Sequence, residues 1–398
     1  MLKELLSRRV ECLNNSEISE FMSLIGQGDI ISFAGGIPDR NIFPLKELRE
    51  LLNSLMAEPG GPDLFQYGST EGSGRLKEYI ISFLKKRNIK ASDEEILITT
   101  GSQQALDLLS KIFIDPGDRV LVENPGYVGG LGAIRSYQAD ITGINLAEDG
   151  IEIDLLEEEL AKGRRFKFIY LVPDFSNPSG IRLSLPKRKA LLELAGKYGF
   201  YIIEDTPYSE LNYYNEPLSA LKELDTEGRV IYLGTFSKFF IPGLRIGWIC
   251  GDREIIRLAG LAKQNTDLTS NSLGQELIAV AGEKGLIEAQ IKRVKPHYRS
   301  RLEEMGQALE KYFPKSTSWL VPKGGFFYWI RLPEYIESRR LLKKALENRV
   351  AFVTGNSFLA NPEEGNNYLR LSFSNCPQED IETGIKILGE IITNWQDF

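Results

Sequence analysis

The sequence predicts an α/β protein: a large domain built on a mostly parallel sheet, followed by a smaller α+β domain. Three observations predict it. From about residue 95, short β-branched apolar runs alternate with longer amphipathic stretches, the pattern of strands joined by crossover helices. At least one run, the YII of YIIED, is continuously apolar, as a strand covered on both faces must be. After about residue 270 the alternation gives way to long helical stretches and then to strands.

The elements follow in order. Residues 1–50 carry a helix and an extended ISFAGGIPD segment; too short for a domain, they are expected to pack on the C-terminal part. Pro59-Gly60-Gly61-Pro62 reads as a loop. Strands are predicted at 96–99, 119–123, 168–172, 201–204, 230–233 and 246–250, with helices at 103–112, 186–198 and 254–264. Residues 286–313 are helical in pattern, and Pro296 predicts a kink or break there. PKGGFFYWIRL, VAFVTG and NNYLRLSFS then read as strands, and 338–347 and 378–395 as helices. The expected units are an N-terminal segment 1–50, a large domain 51–295 and a small domain 296–398.

Composition narrows the function. The chain has 398 residues, 48 Lys+Arg against 55 Asp+Glu, and a net charge of −7, so nothing suggests a nucleic acid or an anionic membrane as partner. Three cysteines, Cys12, Cys250 and Cys376, are too far apart for a disulfide framework or a zinc site. The one histidine, His297, excludes poly-histidine metal sites and reads as structural. The first residues lack a signal-peptide pattern, and no run approaches the roughly 18 apolar residues that span a bilayer. A cytoplasmic enzyme is expected. GGLG at 129–132 is not a G-x-G-x-x-G, so a nicotinamide fold is disfavoured.

Four segments carry chemistry. In GTFSKFFIPGLRIGW, Lys238 follows a strand, with hydroxyls at Thr235 and Ser237 and a guanidinium at Arg245. A lysine can bind an aldehyde as an imine, while hydroxyls and guanidinium hold a phosphate dianion. Phe236, Phe239, Phe240 and Ile241 favour desolvation of the amine and a lowered pKa. In FYIIEDTPYSEL, Asp205 ends a buried strand, where open α/β sheets place ligands. It can keep a pyridine nitrogen protonated, or simply cap the turn before Pro207. Tyr208 offers a phenol. In DFSNPSG, Asn177 before Pro178 makes a turn and has an amide able to donate to a phenolate or carboxylate. In LITTGSQQALDLL, a strand passes through Gly101, Ser102 and Gln103 into a helix whose first N–H groups suit a phosphate, or whose Ser102 is a plain cap.

SFAGGIPD, FQYGSTEG, TTGSQQALDLL, ENPGY, SNPSG, EDTPY, GTFSK, PGLRIGW and YLRLSFS form one ordered set. With it the chain resembles pyridoxal 5′-phosphate-dependent aminotransferases of class I/II, fold type I, over about residues 31–373. Within them it is most similar to the broad-specificity group of 2-aminoadipate and kynurenine-type aminotransferases. The resemblance implies a mostly parallel seven-stranded sheet and a homodimer with shared active sites. It implies that Lys238 carries the cofactor as an imine and shuttles the proton. Asp205 would pair with the ring nitrogen, Asn177 and Tyr208 would bond its O3′, and Tyr127 would stack on the ring. Gly101, Ser102, Gln103, Thr235, Ser237 and Arg245 would form the phosphate site, which Tyr67 of the neighbouring subunit would reach. Arg370 would clamp the substrate carboxylate, helped by Asn177 and a backbone N–H near Gly36.

Two departures matter. The turn usually reads Gln-Asn-Pro-Thr-Gly, and here Ser176 and Ser179 replace two of its residues. Ser19 stands where this group often has an arginine, which weakens the case for a second, distal carboxylate on the substrate. The expected reaction moves an amino group from an L-amino acid to a 2-oxo acid in ping-pong fashion, with glutamate and 2-oxoglutarate as one pair. A β-lyase, racemase or decarboxylase would use the same cofactor. A regulator with this domain would carry a DNA-binding module ahead of Ser32, where the sequence leaves little room.

Overall fold

The computed structural model describes residues 5–12, 30–214, 216 and 218–395. Ser19 lies outside them.

Fourteen strands are described. β1 is Ile31–Ser32, β2 Ile96–Thr99, β3 Arg119–Asn124, β4 Asp140–Ala147, β5 Gly150–Ile151, β6 Phe168–Leu171 and β7 Tyr201–Asp205. β8 is Val230–Thr235, β9 Gly247–Cys250, β10 Ser318–Trp319, β11 Phe327–Arg331, β12 Val350–Ala351, β13 Val353–Thr354 and β14 Tyr368–Ser372. The main sheet has the order β2-β9-β8-β7-β6-β3-β4-β5. Seven strands were expected; the eighth is two-residue β5, a short antiparallel addition beside β4. β3, β4, β6, β7 and β8 pair in parallel. β9 is antiparallel to both β8 and β2, so β2 runs with the parallel set. The C-terminal ends of β2, β3, β6, β7 and β8 therefore share one edge.

Alternation along each strand supplies two apolar faces. In β6, Phe168 and Tyr170 join one core and Ile169 and Leu171 another. In β7, Ile203 and Ile202 divide the same way. The second core is closed by helices Ile153–Ala161 and Leu185–Tyr198, through Leu156, Leu160, Leu191 and Leu194. Helix Ser102–Phe113 closes the first through Ala105, Leu106, Leu108 and Leu109. Local signals place the helix ends. Ser73 accepts from the Leu76 N–H to start Gly74–Lys85, Asp252 caps Arg253–Gln264, and Gly199 at φ +76° ends Leu185–Tyr198.

A second, antiparallel sheet has the order β10-β11-β14-β13, with Trp329 opposite Arg370. The N-terminal segment joins it. β1 pairs with β12, and the Ser372 N–H donates to the Phe33 carbonyl at 2.8 Å. Helix Leu286–Tyr312 runs unbroken through Pro296 and across position 295/296. The proline removes one helical hydrogen bond, while Ile291, Val294, Tyr298 and Leu302 stay packed on the core. His297 lies on this helix with Nε2 3.0 Å from Asp39 Oδ2, which also accepts from Arg301 Nη2 at 2.7 Å. The histidine thus fastens the N-terminal segment. No helix among the described residues is long and apolar enough to cross a membrane.

Candidate active site

The shared edge of the main sheet brings the chemistry-bearing segments together. Ser102, Gln103, Tyr127, Asn177, Asp205, Tyr208, Thr235, Ser237, Lys238 and Arg245 line one cleft, with Val172 and Pro207. Each follows a strand: Ser102 β2, Tyr127 β3, Asn177 β6, and Lys238 β8, while Asp205 is the last residue of β7.

Lys238 Nζ donates to the Gly36 carbonyl at 2.8 Å. Burial first, then the charges of Arg370 and Arg245, lower its pKa to about 8, so roughly a tenth is the free amine at pH 7, far more than for an ordinary lysine. Asp205 is buried. Its Oδ2 accepts from the Tyr170 hydroxyl at 3.1 Å, while Oδ1 has no partner. Burial raises its carboxyl to about 6, against the opposing effects of Tyr170, the nearby Ser102 hydroxyl and Lys238. Tyr208 is buried against Phe326 and Phe327, ring centroids 5.5 and 5.7 Å away, and burial raises its phenol pKa.

At the start of helix Ser102–Phe113, Gly101 has φ +80°. A Cβ there would stand 2.6 Å from Arg245 Nη2, so the missing side chain gives the guanidinium its seat. The first N–H groups of the helix have no intrahelical acceptor. The buried Ser102 hydroxyl is likewise unpartnered. Arg245 holds a left-handed φ of +57°, a conformation costing on the order of 1 kcal/mol. Its hydrogen bonds to the Thr100 and Pro242 carbonyls are long, both 3.5 Å. Thr235 Oγ1 and Ser237 Oγ lie 3.0 Å apart. Hydroxyls, free N–H groups and a loosely held guanidinium make an anion cradle.

Arg370, on β14, is buried. Nη1 donates to Asn177 Oδ1 at 2.8 Å, Nη2 donates to the Ala34 carbonyl, and Nε has no partner. Its guanidinium lies against the rings of Phe327 and Phe358, 4.3 and 5.0 Å from their centroids. Burial lowers its pKa to about 10, which leaves it charged. At Gly36 the observed bond is made by the carbonyl, to Lys238, rather than by the N–H. Tyr67 is outside the cleft of its own chain and 78% exposed.

Sequence reading missed two groups. Tyr170 sat in an apolar run and read as core. Glu123, in ENPGY, accepts from Ser176 Oγ at 2.7 Å and from the Val172 N–H at 3.2 Å. It thereby holds the turn that carries Asn177. A buried polar residue inside a strand was the available signal in each case. Three further aromatic residues differ in their surroundings: Phe358 lies at Arg370. Phe33 packs toward Gly384, and Tyr328 donates to the Leu302 carbonyl within the core.

The unpartnered buried atoms test the cofactor. Asp205 Oδ1 needs a donor, and a protonated pyridine nitrogen is one. The anion cradle of helix-start N–H groups, hydroxyls and Arg245 needs an acceptor, which a phosphate supplies. Lys238 is a desolvated amine suited to an aldehyde. The residues present fit pyridoxal phosphate. The fold and this donor set define a pyridoxal-phosphate enzyme of fold type I. The chain belongs to the aminotransferase class I and II family, whose model matches residues 29–388. It is 41% identical to aromatic-amino-acid aminotransferase 1 of Thermococcus litoralis, over 95% of this chain and 91% of that one. It is 39% identical to the 2-aminoadipate transaminase of Thermus thermophilus, over 95% and 94%. It superposes on a crystal structure of Pyrococcus horikoshii kynurenine aminotransferase in complex with PMP, with a TM-score of 0.94, 40% identity and 98% of both chains covered. The protein is a pyridoxal-phosphate-dependent aminotransferase.

Proposed function

We propose that the enzyme transfers the amino group of an L-amino acid to a 2-oxo acid by a ping-pong mechanism, with glutamate and 2-oxoglutarate as one pair. Aromatic and long-chain amino acids are the proposed donors, in keeping with the substrates that its relatives are named for. The observation that carries the reading is the cleft shared by Lys238 and Asp205, with Asp205 Oδ1 buried and unpartnered.

When bound, pyridoxal phosphate supplies an aldehyde that takes up the amine and a ring that accepts the electron pair of the broken Cα–H bond. Lys238 would hold the cofactor covalently and, when freed, move the proton from the substrate Cα to the cofactor's C4′. Its lowered pKa of about 8 provides a neutral base. Asp205 would hold the proton on the ring nitrogen. Asn177 and Tyr208 would bond O3′, and Tyr127 would cover the ring. Gly101, Ser102, Gln103, Thr235, Ser237 and Arg245 would hold the phosphate. Arg370 would take the substrate carboxylate, its guanidinium being a planar fork matched to two oxygens. Asn177 orients that fork, and Gly36 holds Lys238 by its carbonyl. Because one lysine and one guanidinium serve both substrates, amino acid and oxo acid use the site in turn, which is the basis of ping-pong kinetics.

The large domain would comprise 51–295 and the small domain 296–398, joined by 1–50 and sharing helix Leu286–Tyr312. A homodimer is part of the proposal: exposed Tyr67 would complete the phosphate site of a second copy. Exposed Phe65 beside it, 67% accessible, supports this.

The test is spectroscopic and kinetic. Glutamate should shift the visible band of the holoenzyme, and 2-oxoglutarate should restore it. Lys238→Ala should lose about four orders of magnitude in kcat while still binding cofactor non-covalently. Near-normal transamination by Lys238→Ala would refute the assignment.

A further inference from the structure

Tyr170 is buried in the centre of the main sheet, where a tyrosine can simply fill space. Its surroundings show more. β6 and β7 are parallel neighbours with Tyr170 opposite Ile203, so Asp205, two residues on, projects from the same face. The Tyr170 hydroxyl donates to Asp205 Oδ2 at 3.1 Å, and Oδ1 is left without a partner in the cleft. The ring has room only because position 130 is glycine. A Cβ there would stand 2.2 Å from Tyr170 Cε1 and 2.9 Å from its hydroxyl oxygen.

We infer that Tyr170 is a positioning residue for the ring-nitrogen site: its hydroxyl fixes one oxygen of Asp205 and aims the other at the cofactor. The inference rests on the reading of Asp205 given above. A buried carboxylate is costly, and a donated hydrogen bond favours the ionised form over the neutral one. Burial pushes the Asp205 carboxyl up, and Tyr170 is the foremost group opposing it. Other groups face Asp205 too: Ser102 after β2, Glu123 on β3, Tyr127 before helix Val128–Ser136, Tyr208 after β7 and Lys238 after β8. Glu123 and Lys238 titrate in the neutral range. The test must therefore separate the ring nitrogen from everything else.

Two compounds do so: pyridoxal 5′-phosphate, and its 1-deaza analogue, which has CH in place of the ring nitrogen. Binding of each to the apoprotein is followed by tryptophan fluorescence from about pH 5.5 to 8.5, for the wild type and Tyr170→Phe. A hydrogen bond to a charged group displaces a carboxyl's titration by about one to two units. The pH below which pyridoxal phosphate affinity falls should thus rise by about one unit in Tyr170→Phe. Its affinity should be about tenfold weaker below that midpoint and within about twofold of wild type at pH 8.5. The analogue should show no such displacement. An unchanged midpoint, or an equal displacement with the analogue, would overturn the inference and leave the assignment of Asp205 standing. A wild type that binds neither compound would instead overturn the cofactor site itself. Tyr170→Phe removes only the hydroxyl oxygen, and the melting temperature of its apoprotein confirms that the fold is retained.

Discussion

Gly36→Ala tests whether the proposed substrate clamp is as tightly built as its distances imply. The backbone at Gly36 is outside the left-handed region, so alanine fits locally and the effect is steric alone. The new Cβ would stand 2.6 Å from Phe327 Cζ and 2.8 Å from Cε1. Phe327 has little freedom to yield, because its ring is fully buried between Tyr208, 5.7 Å away, and the Arg370 guanidinium, 4.3 Å away. If the ring moves, it pushes on the phenol and the carboxylate fork. If the chain at 34–37 moves, it loses the Gly36 carbonyl bond to Lys238 and the Ala34 carbonyl bond to Arg370. Overpacking of this kind costs about 1–3 kcal/mol. Expressed in binding, that is a rise in KM of about 5- to 150-fold. Steady-state kinetics with an amino-acid donor would measure it, alongside the dissociation constant of an unreactive dicarboxylate such as maleate. A KM within about twofold of wild type, at an unchanged melting temperature, would show that the loop has room these distances deny.

Other outcomes follow from the same geometry. Arg370→Lys keeps a charge but replaces a fork by a single point, so KM should rise by about 10²-fold, the equivalent of about 2.7 kcal/mol; a few-fold change in KM would contradict the carboxylate role. Glu123→Gln should flatten the pH dependence of apoprotein stability. Burial raises the Glu123 carboxyl from 4.5 to about 8, so the folded state holds its proton more tightly and stability is lost as pH rises between those values. The amide can accept the same bonds from Ser176 and Val172. Wild type and variant should therefore melt alike near pH 5, with the variant gaining relative stability by pH 9. A gap that stays constant across that range would contradict it.

How much could be read from the chain differs by element. The strands that end in chemistry were legible because each is a short apolar run closed by a polar signature: EDTPY after YII, SNPSG after FIYLV, GTFSK after VIYLG. β4 was not read, because its alternation is interrupted by Thr142, Gly143 and Asn145 and much of it is only half-buried. Pro296 suggested a break that packing on the core overrides. Glu123 and Tyr170 passed as strand residues, since a strand position does not reveal which polar atom its side chain will meet.

The sequence by itself determined the family and the alternation of strand and helix, and it singled out the lysine, the carboxylate and the arginine to which roles are proposed above. Parallel connections then leave little choice, because they carry strand ends to one edge. Only the tertiary structure decided which atoms remain unpaired in the cleft. That Asp205 turns one oxygen to Tyr170 and leaves the other free depends on β6 lying beside β7 and on an absent side chain at Gly130. That Arg370 lies against the Phe327 ring depends on β11 and β14 pairing some forty residues apart. Such contacts join residues distant in the chain, and hydrogen bonding and steric fit act on proximity in space, which local sequence pattern does not encode.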